Sequence, residues 1–104
     1  MSGFFVLVIP MLADNYSYYV FNPAEPNKGT YIDVATAPCL EASRPVIGLP
    51  PLKECEKLTI LTTHKHWDHA QGNVELPNMH PGILMKVFGS KEDHVPGCNM
   101  PLDF

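Results

Sequence analysis

At 104 residues, with 45% of them apolar, the chain is long enough for one small domain with its own core. Seven Lys and Arg against eleven Asp and Glu leave a formal net charge of −4. With no Lys/Arg cluster, nucleic acid and anionic membrane are poor partners, and none is expected. Cys39, Cys55 and Cys98 are odd in number and form no Cys-x-x-Cys pair, so neither a disulfide framework nor a thiolate zinc site is indicated. Reduced thiols in a cytoplasmic protein are expected.

Phe4 to Ile9 has the β-branched and aromatic content of a strand buried on both faces, with Pro10 closing it. It is too short to span a membrane and lacks a basic leader and a small-residue cleavage site. Ala13-Asp14-Asn15 supplies turn chemistry, and Tyr16 to Phe21 then reads as a second strand antiparallel to the first. After a polar loop from Pro23 to Gly29, Thr30 to Val34 forms a third strand interrupted by Asp33, an acid in an apolar setting. Thr36-Ala37-Pro38 opens a short helix, with threonine as cap and proline in the first turn, and Arg44-Pro45 ends it. A turn of helix around Leu52 to Glu56 precedes a further strand, Leu58 to Thr63. Ala70 to Leu76 begins a helix that Pro77 and the turn-rich stretch to Gly82 cut short, and Ile83 to Phe88 is a last strand. Glu92 to Phe104 carries no periodic signal and reads as a tail.

The strand from Leu58 empties into His64, His66, Asp68 and His69. Residues two apart in extended backbone point to one side, so His64 and His66 can reach a single cation. If the chain bends there, Asp68 and His69 leave from the next turn and reach a position beside the first ion. Imidazole with carboxylate and no thiolate is the donor set of catalytic zinc, or of iron and manganese, whereas closed structural zinc sites lean on cysteine. A polar loop in which histidines cluster by chance explains one or two of them, but not four candidate ligands within six positions directly after a strand. His80 and His94 lie in loops with no ligand partner near in sequence and read as surface histidines.

Thr63-His64-Lys65-His66-Trp67-Asp68-His69-Ala70 resembles the signature of the metallo-β-lactamase fold superfamily, and Trp67 with Gly72-Asn73 is similar to glyoxalase II, the hydroxyacylglutathione hydrolases. Asp14-Asn15-Tyr16 also has a counterpart near the N-terminus of glyoxalase II-like proteins. The resemblance implies an α/β (α+β) fold. The chain would be a single, truncated domain over residues 1–104, the N-terminal half of an αββα sandwich, with a mixed β-sheet and short helices. It implies a binuclear zinc site in which His64 and His66 serve the first ion and Asp68 and His69 the second. A further histidine for each ion and a bridging aspartate would lie beyond this chain, as would the residues that hold glutathione. Lys65 stands where many relatives carry another, non-ligating histidine. Asp33 would lie beneath the metals and accept a hydrogen bond from the outer nitrogen of a ligating histidine. Its residues alone leave open a strand-end acid that faces water or caps the next segment.

The activity implied is metal-dependent hydrolysis of S-2-hydroxyacylglutathione or a similar small thiol conjugate, part of methylglyoxal detoxification in the cytoplasm. Two alternatives are a mononuclear iron persulfide dioxygenase of the same fold, which Trp67 disfavours because that branch has a small residue there, and a non-catalytic truncated form that binds metal. With half a sandwich missing, one sheet face would stay uncovered and the chain would self-associate.

Overall fold

A computed structural model describes residues 3–12 and 15–103. The strands are β1 (Phe5–Met11), β2 (Asn15–Phe21), β3 (Thr30–Ile32), β4 (Lys57–Leu61), β5 (Leu84–Ser90) and β6 (Met100–Leu102). They form one mixed six-stranded sheet in the order β1-β2-β3-β4-β5-β6. β1, β2 and β3 pair antiparallel, whereas β3, β4, β5 and β6 pair in parallel. The turn expected at Ala13–Asp14 lies outside the described residues. With three short α-helices, α1 (Ala37–Ser43), α2 (Trp67–Ala70) and α3 (Gly72–Met79), this is an α+β fold that suits part of a metallo-β-lactamase-like domain.

The core lies on one face of the sheet. Leu7, Tyr19, Tyr31, Ile60 and Val87 stand opposite one another across five strands, and Ala37 and Leu40 of α1 with Leu76 of α3 close over them. The next row, Val8, Tyr18, Ile32, Leu61 and Phe88, points to the other side. There Val8 is 51% exposed and Tyr18 38%, so β1 is buried on one face and not on both. Period-two burial is hidden in its sequence because both registers are apolar.

Three further expectations give way. β1 runs through Pro10 to Met11 because it is an edge strand, where a missing N–H need not face a partner. α3 contains Pro77 and continues to Met79, with the His80 amide donating to the Leu76 carbonyl at 2.8 Å. Proline removes one donor, the one facing four residues back, and leaves the bonds of the following turn intact. Residues 92–103 are not a loose tail: β6 pairs with β5, and the Asn99 side chain accepts from the Val87 amide and donates to the Met85 carbonyl, both at 2.8 Å. One side-chain amide substitutes for a strand at that edge, a signal that carries no periodicity.

The crossover between β3 and β4 follows its predicted caps. Thr36 Oγ1 accepts from the Cys39 amide at 3.3 Å to start α1, and a 3-10 turn over Arg44–Ile47 ends at Gly48, whose φ of 74° favours glycine. Arg44, only 3% exposed, fastens the return loop to the core by donating from Nε to the Pro50 carbonyl at 2.6 Å and from Nη1 to the Tyr31 hydroxyl at 3.0 Å.

Burial pushes the Tyr31 hydroxyl from 10.0 up to about 12, against the opposing pull of the Arg44 charge. The neutral phenol is therefore favoured in the folded chain. Its contribution to stability is complete below the unfolded value of 10.0 and is lost as pH rises through about 12. Urea midpoints measured across that window should fall for the wild type, and Tyr31→Phe should fall less.

Candidate metal centre

β3 and β4 run side by side in the same direction, so their C-terminal ends open together at one edge of the sheet. Such ends are where open parallel sheets collect their functional side chains. At the end of β3 the chain turns through Asp33, which has a φ of 57°, a left-handed conformation that aspartate tolerates better than most residues. Its amide still donates to the Leu61 carbonyl at 3.0 Å, so the turn is tied to β4. Its carboxylate, 8% exposed as a residue, faces the segment that comes after β4.

That carboxylate accepts three hydrogen bonds. The Thr63 amide donates to Oδ1 and the Thr63 hydroxyl to Oδ2, each at 2.6 Å, and His69 Nδ1 lies 3.1 Å from Oδ2. An ionised carboxylate only accepts, so the hydrogen in the last contact resides on His69 Nδ1. The other ring nitrogen, Nε2, then keeps its lone pair, and it lies 3.8 Å from Asp68 Oδ2.

The remaining predicted residues gather around this point. The ring of His64 lies 3.9 Å from that of His69, centroid to centroid, and 5.1 Å from that of His66. β4 ends at Leu61, two residues before the predicted Thr63, so His64 and His66 project from an irregular segment and not from extended strand. α2 begins at Trp67 and places Asp68 and His69 on its first turn, the bend the sequence required. Asp68 is held from the other side: Asn15 Nδ2 lies 3.2 Å from both its backbone carbonyl and its Oδ2. That hydrogen bond is the main cause of a carboxyl pKa below the ordinary value, with the nearby His69 and His66 adding to it. His80 is half-buried after α3 and His94 is exposed.

Three imidazoles and one carboxylate suit zinc, iron or manganese in donor chemistry. In arrangement they are neighbours and not a closed cage: among the described residues, no three His, Cys, Asp or Glu side chains converge on one ion position.

Several residues that shape the site carried no ligand signal in the sequence. Thr63 is the donor to Asp33. Asp93, from the supposed tail, accepts from the Lys65 amide at 2.7 Å, and Asn73 donates to Thr62 Oγ1 at 2.9 Å and to the Pro96 carbonyl at 3.0 Å. Gly72 lets α3 approach the strand end: its amide donates to the Val34 carbonyl at 2.9 Å, and a β-carbon there would meet that same carbonyl at 2.7 Å.

No protein-family model matches the chain. Curated relatives do. A hydroxyacylglutathione hydrolase-like protein of Bos taurus is 37% identical over 87 residues, 84% of this chain and 40% of that protein. The likeness is to part of a hydroxyacylglutathione hydrolase. The cytoplasmic hydroxyacylglutathione hydrolase of Arabidopsis thaliana is 34% identical over 95 residues, 91% of this chain and 33% of its own length. A human hydroxyacylglutathione hydrolase-like protein is 41% identical over 88 residues, 84% of this chain and 27% of its own. The chain thus matches these glyoxalase II-like proteins along most of its own length and spans well under half of theirs.

Removing the Asp33 carboxylate leaves the Thr63 amide without its acceptor and puts a β-carbon with no compensating bond at a positive φ. Asp33→Ala should therefore cost about 1–3 kcal/mol in urea unfolding. Gly72→Ala should also destabilise, by forcing α3 away from Val34, and a midpoint equal to wild type would show that the helix can shift freely.

Proposed function

We propose that this chain is the metal-binding part of a thioester hydrolase that acts on S-2-hydroxyacylglutathione or a similar thiol conjugate, in cytoplasmic removal of methylglyoxal. One observation carries the reading: the His64 and His69 rings lie 3.9 Å apart and Asp68 Oδ2 lies 3.8 Å from His69 Nε2, beside the ends of two parallel strands, in a chain similar to hydroxyacylglutathione hydrolases. No helix of the described residues is long and apolar enough to cross a membrane, which accords with a substrate met in solution.

His64 and His66 would hold one ion, and Asp68 and His69 a second, with zinc the proposed metal and iron or manganese compatible with the same donors. A bound pair supplies a water acidified to near neutrality and an electrophile for the thioester carbonyl. This chain's own contribution is orientation. Asp33 keeps the hydrogen of His69 on Nδ1, Asn15 holds Asp68 on the turn of α2, and Asp93 anchors the backbone between the first two histidines. No side-chain nucleophile is required of Thr63 or Cys98.

Four donors shared between two ions leave each with two protein ligands, whereas catalytic zinc takes three and a water. The polypeptide of 104 residues should accordingly bind zinc weakly, one ion shared among these side chains, and turn over no thioester. Calorimetric titration with zinc, followed by a hydroxyacyl thioester assay, tests this. Two tightly bound zincs with turnover would mean that the chain carries a whole site. In a protein completed to the relatives' length, His64→Ala or His66→Ala should abolish hydrolysis with little loss of fold. There, Asp33→Asn should lower metal affinity or rate about ten- to a hundredfold. Unchanged affinity and rate in that variant would leave Asp33 a purely structural acid.

The exposed row through Val8 and Tyr18 is the proposed route of self-association for the isolated chain. Val8→Lys with Tyr18→Lys should lower its mass in sedimentation without loss of strand content.

A further inference from the structure

The hydroxyl of Thr63 does more than join Asp33. It lies 2.6 Å from Asp33 Oδ2 and, on its other side, 3.1 Å from Nδ1 of His64. A hydroxyl has one hydrogen to give. The carboxylate can only accept, so that hydrogen goes to Asp33, and toward His64 the threonine oxygen is left as an acceptor. The hydrogen between Thr63 and His64 must then sit on His64 Nδ1. His69 meets the same carboxylate oxygen directly, also through Nδ1, at 3.1 Å.

We infer that Thr63 is a positioning residue: its hydroxyl relays the carboxylate of Asp33 to His64, so that one buried acid fixes the Nδ1–H tautomer of two histidines, directly for His69 and through Thr63 for His64. The two rings lie 3.9 Å apart, and the tautomer keeps the Nε2 lone pair of each available to an outside acceptor of electrons. The consequence for metal affinity rests on the reading of these histidines as ligands. The tautomer itself does not.

The device also explains why threonine follows Thr62 at the end of β4. Thr62 is 2% exposed and receives Asn73 on its hydroxyl, whereas Thr63 turns outward with both its amide and its hydroxyl committed to Asp33. A valine at position 63 would keep the shape and the amide bond and lose only the relay. A serine would keep the relay.

The test is imidazole nitrogen NMR on the metal-free chain at a pH where histidine is neutral, about 8. His64 and His69 should both carry their hydrogen on Nδ1. In Thr63→Val, His64 should lose that preference while His69 keeps it, Thr63→Ser should restore it, and Asp33→Asn should release both. Finding His64 of the wild-type chain with its hydrogen on Nε2, or unchanged in a folded Thr63→Val, would overturn the relay. The wild-type measurement decides even if a variant fails to fold. Zinc titration of the same proteins separates the relay from the metal site. Thr63→Val should bind zinc about tenfold or more weakly than wild type, as loss of an outer partner of a ligand does, with Thr63→Ser close to wild type. A chain with both Nδ1–H tautomers and no zinc affinity would retain the relay and remove the metal site. One that binds zinc with His64 protonated on Nε2 would do the reverse.

Discussion

The carboxylate of Asp33 is the constraint on which the site depends. It sits where β3 ends, in a backbone conformation few residues adopt, and it gathers the Thr63 amide, the Thr63 hydroxyl and His69 into one cluster. Without such an acceptor the Thr63 amide and hydroxyl would lose the partner that ties the segment after β4 to the end of β3. The strained φ is therefore held in place by bonds to a neighbouring strand and to a nearby helix turn, which is the condition under which a left-handed aspartate persists. Parallel pairing of β3 with β4 makes this possible. An antiparallel neighbour would have put the end of β3 beside the beginning of β4, remote from the histidines.

Around that anchor the segment between β4 and α2 is tied down at several points although it has no regular structure. The Thr62 amide donates to the Phe88 carbonyl at 2.9 Å, the Thr63 amide to Asp33, the Lys65 amide to Asp93, and the His69 amide to the His66 carbonyl at 2.9 Å. Partners come from β5, from the end of β3 and from the loop before β6. The histidines are thus carried on a backbone fixed from three directions.

Much of this could be read from residues. β-Branched runs marked the strands, Thr36 with Pro38 marked the start of α1, and a bend after His66, the condition for Asp68 and His69 to leave from the next turn, is present as α2. What escaped has a physical cause in each case. β1 looked buried on both sides because Val6 and Val8 are as apolar as Ile9, and only the pairing shows that they share the exposed face with Tyr18. Pro77 and Pro10 looked like terminators because the penalty of proline depends on whether its missing N–H had a partner to lose, which is a property of the sheet edge and of the helix end. Residues 92–103 looked structureless because they are held by Asn99, Asn73 and Asp93, single polar contacts that leave no periodic trace.

The two sides of the histidine–aspartate cluster are unequal, and the inequality has a structural reason. Toward the protein, His69 and Asp68 are each pinned by a partner from another strand, Asp33 at the end of β3 and Asn15 at the start of β2. Away from it, His66 is exposed and, among the described residues, His64 makes its polar contact with its neighbour Thr63. For the proposed metal site, side chains pinned from within are already oriented, whereas an exposed His66 must lose rotamer entropy of its own. For the proposed site the asymmetry sets how far each side chain is oriented by the protein: His69 and Asp68 by bonds to other elements, His64 through its neighbour Thr63, and exposed His66 least.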